Sequence, residues 1–202
     1  MRLKSIIILS LSLLFITTAG LAKELKIGKS APGFSLADVS GKMHKLKDYR
    51  GKYVVLEWTN YDCPFVKKHY NSGNMQMLQK QYTAKDVVWL SINSSAPGKQ
   101  GNFTSEEVMK RAGVHETSFS AYLMDQDGDV GKKYGAKTTP HMFVIDPKGK
   151  LIYMGGIDDI KSTNMDDIAK ATNYVAAALD AALAGKAVAV SSSKPYGCGV
   201  KY

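Results

Sequence analysis

Four places in this chain carry residues able to do chemistry. The first is Trp58-Thr-Asn-Tyr-Asp-Cys-Pro-Phe-Val66, where Cys63 follows an apolar run and stands one residue before a helix-opening proline. A thiol at a helix N-terminus faces unpaired backbone N–H groups and the positive end of the helix dipole, and both favour the thiolate. Such a setting lowers a cysteine pKa below its ordinary value of about 8.5 and makes the sulfur a nucleophile. Lys67 and Lys68, one turn on, add positive field. The alternative for Cys63 is a small buried residue that fills space.

The second place is Glu57, a carboxyl inside the run Val-Val-Leu-Glu-Trp. A carboxyl buried there must be protonated or paired. Six residues ahead of Cys63, it could trade a proton with the thiol directly or through water; otherwise it is an edge-facing group paired with a lysine. The third is Thr139-Pro140-His141, a proline just before an apolar strand, which cannot donate to a sheet. The fourth is Cys198, set between two glycines in Lys194-Pro-Tyr-Gly-Cys-Gly199. Glycines let the backbone take tight conformations and approach a partner closely.

The surrounding pattern predicts the elements that hold these residues. Phe34 to Tyr49 reads as a hairpin turning at Ser40-Gly41. Tyr53 to Trp58 and Val87 to Ile92 are apolar, β-branched and aromatic runs, which suit strands covered on both faces. Pro64 opens a helix reaching Tyr82, and a short helix follows at Ser105 to Arg111. A short strand lies near Leu123. Met142 to Asp146 and Lys150 to Met154 flank the turn Pro147-Lys-Gly149 as a second hairpin. Met165, Ile168, Ala169, Thr172, Val175, Ala176, Leu179 and Leu183 form one apolar stripe, a last helix closed by Gly185. Beyond it, residues 186–202 form a tail rich in serine and glycine, of a kind that normally frays. Strands alternating with helices give an α/β fold: a central mixed sheet, mainly parallel with antiparallel edges, flanked by helices and extended by the N-terminal hairpin.

Composition narrows the function classes. The chain has 202 residues, 45% hydrophobic and 22% charged, enough for one domain with a proper core. Two cysteines exclude a four-cysteine zinc site and a disulfide-stapled mini-fold. Asp125, Asp127 and Asp129 surround Gly128, but the twelfth position of that loop is Ala136, not the glutamate of an EF-hand, so it reads as a turn. Net charge is +9, yet the lysines are scattered without interleaved aromatics, which argues for a solvated cationic surface and against nucleic-acid binding. Arg2 and Lys4 precede a 12-residue stretch, Ser5 to Ile16, that is apolar apart from three serines; Gly20 and Ala22 then stand at the −3 and −1 positions before Lys23. This reads as a signal peptide over residues 1–22 that is cleaved on export, so the protein is expected to be periplasmic or secreted, with no stable membrane insertion after cleavage. The alternative, a membrane anchor, has too short an apolar stretch to span a bilayer.

In element order the chain resembles the thioredoxin-like superfamily: a cysteine opening a helix after an apolar strand, Thr-Pro before a later strand, then a hairpin and a final helix. Gln126-Asp-Gly-Asp-Val130, Tyr134-Gly135, Thr139-Pro140 and Phe143-Val-Ile-Asp146 resemble the AhpC/TSA (peroxiredoxin-like) redoxins, over Ile27 to Leu183. The resemblance implies that Cys63 is the attacking thiol, that Pro140 is a cis-proline facing it, and that Thr139 offers backbone groups to an extended substrate. Glu57 falls where thioredoxins carry a buried acid, and Trp58 matches the tryptophan beside it. The position of a thioredoxin's second cysteine holds Val66, so a CXXC dithiol cycle is excluded. The peroxiredoxin Thr or Ser three residues before the cysteine is Asn60, their proline seven before is Leu56, and Pro140 stands near the place of their arginine.

Cys198 is then the one other sulfur able to resolve an intermediate on Cys63; a structural disulfide pinning the tail is its alternative role. The expected activity is thiol–disulfide exchange, or peroxide reduction, with Cys63, Cys198 and Glu57 as catalytic residues and Thr139, Pro140 and Trp58 as substrate contacts. An external thiol reductant completes the cycle, on a protein or small-molecule disulfide or peroxide, with no metal or organic cofactor. The rival readings are a copper-handling protein using Cys63, His69, His141, Met142 and Cys198, and a redox-inactive interaction module.

Overall fold

The computed structural model describes residues 25–202, so the predicted signal peptide lies outside the described residues. Among the described residues, seven strands form one mixed sheet. The N-terminal hairpin supplies β1 (Ser35–Asp38) and β2 (Met43–Lys45), turned by Asp38, whose carboxylate accepts from the Ser40 and Lys42 amides. Next come β3 (Val54–Trp58), α1 (Pro64–Asn71), α2 (Asn74–Thr83), β4 (Val88–Asn93), α3 (Ser105–Val114), β5 (Ala121–Met124) and α4 (Asp129–Tyr134). The chain continues through β6 (Thr138–Thr139), β7 (His141–Ile145), β8 (Leu151–Gly155), α5 (Tyr174–Leu183) and β9 (Cys198–Gly199).

The sheet order is β2-β1-β5-β4-β3-β7-β8. β3, β4 and β5 run parallel, and antiparallel strands extend the sheet on both sides. β3, β4 and β7 are buried throughout, as their unbroken apolar runs require. Alternation sends Val55 and Trp89 to the face covered by α1, α2 and α5, and sends Leu56, Trp58 and Leu90 to the face covered by α4 and the N-terminal segment.

Four expectations change. The single helix from Pro64 to Tyr82 is two, broken where Gly73 adopts φ +76°. The last helix is a 3-10 turn (Met165–Lys170) followed by α5, whose start is capped by the Asn173 side chain on the Ala176 amide. The aspartate-rich turn opens α4: Asp125 Oδ1 and Oδ2 accept from the Val130 and Gly131 amides. The tail does not fray. It runs along the outer edge of β8, where Met154 exchanges backbone bonds with Ser191 and Ser193, and ends as β9 in a two-stranded ladder with β6. Serine and glycine composition misleads here because the tail's backbone groups find partners on an open sheet edge. No helix among the described residues is long and apolar enough to cross a membrane.

Candidate active site

Cys63 is the N-cap of α1, and Pro64 occupies the first helical turn, where the missing N–H costs nothing. The residue has no exposed surface. Its thiol donates to the Thr139 carbonyl at 3.1 Å, and the Thr139–Pro140 peptide is cis, as the family resemblance implied. The site is therefore the meeting of the α1 N-terminus with the loop that enters β7.

The tail completes it. β9 pairs antiparallel with β6, setting Cys198 opposite Thr139 and Gly199 opposite Thr138, and the Val200 amide donates to the Lys137 carbonyl at 3.1 Å. Gly197, at φ +133°, lies so close to the Thr139 carbonyl that a Cβ there would overlap it. The tail thus brings Cys198 beside Cys63 through Thr139, which both of them meet; both are free thiols, and each acts on the other's ionisation.

That mutual action separates the two sulfurs electrostatically. Burial opposes the Cys63 thiolate, but hydrogen bonds from the Cys198 thiol, from Thr139 and from the Val66 and Cys198 amides outweigh it, and the Cys63 pKa is lowered. Cys198 is pushed up to about 11 by burial and by its hydrogen bond and charge interaction with Cys63. The Thr139 hydroxyl, buried and otherwise without a partner, is among the groups that favour the thiolate.

Glu57 is fully buried on central strand β3 and pairs with no lysine, so the edge-facing alternative does not hold. Its carboxyl accepts from Tyr70 (2.8 Å), Trp89 (2.8 Å), Ser91 (3.1 Å) and Gln79 (3.3 Å). Burial raises its pKa against the pull of these donors. None of the four is Cys63; the carboxyl ties α1, α2 and β4 to β3. Trp58 corrects a second expectation. One residue along a strand means the opposite face, so its ring packs on Tyr134 and Phe143, fully buried, with its Nε1 donating to Ser94 at 2.9 Å, and offers a substrate no surface.

The copper set does not assemble. His69 accepts from Asn74 on Nδ1 and meets the Tyr196 hydroxyl on Nε2, and His141 Nδ1 accepts from the Lys137 amide. Among the described residues no group of three or more His, Cys, Asp or Glu side chains converges as a metal site. What sequence reasoning missed is a polar cluster behind α1, formed by Lys68, His69, Asp158 and Tyr196, all buried. A signal was present: Lys-Lys-His-Tyr on a helix whose other face is apolar puts polar groups where the core must be.

A cysteine at a helix N-terminus, facing the loop before β7 on a sheet of this order, defines a thioredoxin-like redoxin. The chain belongs to the AhpC/TSA family, whose model matches residues 27–154. It is 30% identical over 130 residues to the thiol-disulfide oxidoreductase ResA of Bacillus cereus, covering 64% of this chain and 69% of that one. An uncharacterized conserved protein from Geobacillus kaustophilus superposes with a TM-score of 0.74 at 30% identity, over 89% of this chain and 94% of the other. The thioredoxin domain of a Bacteroides vulgatus thiol-disulfide oxidoreductase matches in fold, with a TM-score of 0.52 at 20% identity over 73% and 98% of the two chains.

Proposed function

We propose that this protein is an exported thiol–disulfide oxidoreductase that works with one cysteine at the helix end and a second carried in by the C-terminal segment. The observation that carries the reading is the strand pairing that sets Cys198 opposite Thr139, whose carbonyl accepts from the Cys63 thiol. The relatives' thiol–disulfide chemistry supports a disulfide as the substrate over a peroxide. Export rests on the signal-like segment of residues 1–22.

The cycle follows from the electrostatics. The Cys63 thiolate attacks one sulfur of a substrate disulfide; a Cys63–substrate mixed disulfide forms and the other substrate sulfur leaves as a thiolate. Capping Cys63 removes its charge, and with it two of the influences that hold the Cys198 pKa high. Cys198 ionises more readily once Cys63 is occupied, attacks the Cys63 sulfur and releases the second substrate thiol. The chain is left with a Cys63–Cys198 disulfide and the substrate has gained two electrons; an external dithiol reopens the bond. Thr139 and Pro140 border the attacked sulfur, and Glu57 braces α1 beneath it.

The test is a non-reducing peptide map after diamide treatment. The expected product is an intramolecular Cys63–Cys198 peptide, absent from Cys198→Ala and reopened by dithiothreitol. Two free thiols after the oxidant would overturn the reading.

A further inference from the structure

The β6–β9 ladder has two residues on each strand, and a pairing that short is marginal on its own. Something else must hold Cys198 in place. Two residues before it, Tyr196 is 6% exposed, and its ring packs edge-on against Phe65 of α1 with centroids 5.8 Å apart. Its hydroxyl enters the polar cluster behind α1. It donates to Asp158 Oδ1 at 2.5 Å and lies 3.2 Å from His69 Nε2.

The direction of every bond in this cluster can be assigned. Asn74 donates its amide to His69 Nδ1 at 2.8 Å, which leaves the imidazole proton on Nε2, facing the Tyr196 oxygen. The ring is neutral, because burial and then the Lys68 charge bring its pKa down to about 3. Tyr196 accepts from His69 and donates its hydroxyl to Asp158. Asp158 Oδ1 also accepts from the Ile160 amide, and its Oδ2 lies 3.6 Å from Lys68 Nζ, which donates to the Ile160 carbonyl at 3.1 Å. Asp159 and Tyr153 are the remaining titratable groups that act on the Tyr196 hydroxyl. The chain of donors runs one way, from Asn74 through His69 and Tyr196 to a carboxylate paired with a buried lysine.

We propose that Tyr196 is the positioning residue of the resolving step: its docking between His69 and Asp158 fixes the approach of Cys198 to Cys63. Gly197 is then the one residue between this lock and the cysteine, and its close approach to the Thr139 carbonyl leaves it little freedom. With Val200 tied to Lys137 on the other side, Cys198 is held from both directions. The lock supplies the high local concentration of thiol that an intramolecular resolving step exploits.

This inference rests on the resolving role of Cys198, and the experiment separates the two. The protein is equilibrated with a glutathione buffer, in which one glutathione disulfide takes two electrons and two protons from Cys63 and Cys198 and leaves as two glutathione thiols. Tyr196→Phe is expected to lower the equilibrium constant for the Cys63–Cys198 bond by about tenfold or more, since a buried hydrogen bond to a charged group is lost. The same variant is expected to raise the pKa of Cys63, read from thiolate ultraviolet absorbance, because its Cys198 donor is no longer held. In a Cys198→Ala background, where position 198 keeps only its backbone amide as a donor to Cys63, Tyr196→Phe should raise that pKa by clearly less than it does with the Cys198 thiol present, a dependence that a general loosening of the fold would not show. Asp158→Asn should move both readouts in the same direction as Tyr196→Phe. Wild-type constants for Tyr196→Phe, or a Cys63 pKa shift that is equally large with and without the Cys198 thiol, would overturn the lock. A wild-type chain that forms no Cys63–Cys198 bond would sink the resolving reading, while the absorbance titration would still decide whether Tyr196 positions Cys198.

Discussion

At the scale of single residues, the site separates two thiols that share one chemistry. Cys63 is lowered and Cys198 raised, and each sulfur is a cause of the other's shift. Titrating thiolate absorbance against a Cys63→Ser reference should therefore place Cys63 below the ordinary thiol value of about 8.5. Cys198→Ala removes the donor without supplying another and should move the Cys63 midpoint upward; an unmoved midpoint would leave the helix end as the whole cause. Cys63 was legible in the sequence because a cysteine before a proline at a strand-to-helix junction has a physical meaning in any chain. Glu57 was legible as a buried carboxyl, but not its partners. Tyr70, Gln79, Trp89 and Ser91 lie between 13 and 34 residues away in sequence and meet only through packing.

Among the elements, the strands were readable and the helix breaks were not. β3, β4 and β7 are apolar runs with no competing pattern, whereas Gly73 and Asn173 interrupt amphipathic stripes that continue on either side. Periodicity detects a face and passes over a one-residue break in it. The docking of the C-terminal tail was beyond local reading for another reason: its partners, the edge of β8 for Ser191 and Ser193 and β6 for β9, lie about 40 to 60 residues back in the chain. The glycines around Cys198 did point to close approach, and Gly197 is where that approach occurs. Gly197→Ala should force β9 off β6, since the added Cβ overlaps the Thr139 carbonyl and the φ of +133° disfavours any side chain. Modification of Cys63 by a bulky maleimide, quantified on its peptide above the Cys63 pKa, should then quicken about tenfold, the equivalent of a strain of one to two kcal/mol. An unchanged rate would mean that β9 does not cover the thiol.

For the whole molecule, two buried histidines lead the response to acid. His69 and His141 are brought down by burial to about 3 and about 4, so both are neutral in the fold, while the unfolded chain takes up those protons near 6.5. Below pH 6.5 the unfolded state binds more protons than the folded one, so stability falls as pH falls, by about 1.4 kcal/mol per pH unit for each histidine. The loss through His141 ends near pH 4 and that through His69 near pH 3. Glu57 works the opposite way: its raised pKa makes its contribution greatest below 4.5 and smaller as pH rises. His115, lowered by burial, acts with these two histidines, and Asp125, raised by burial, acts with Glu57. Three imidazoles against two carboxyls leave a net loss on acidification, so urea midpoints should drop between pH 6.5 and 5; a flat profile would contradict the neutral, buried imidazoles. The two-residue ladder of β6 and β9 stands outside the seven-stranded sheet, so opening the segment over Cys63 breaks the Tyr196 docking and that ladder but no pairing of the seven strands. The thiol is thereby metered: reagents meet it in proportion to the fraction of time that this small unit spends open, a fraction set by the Tyr196 docking and a two-residue ladder.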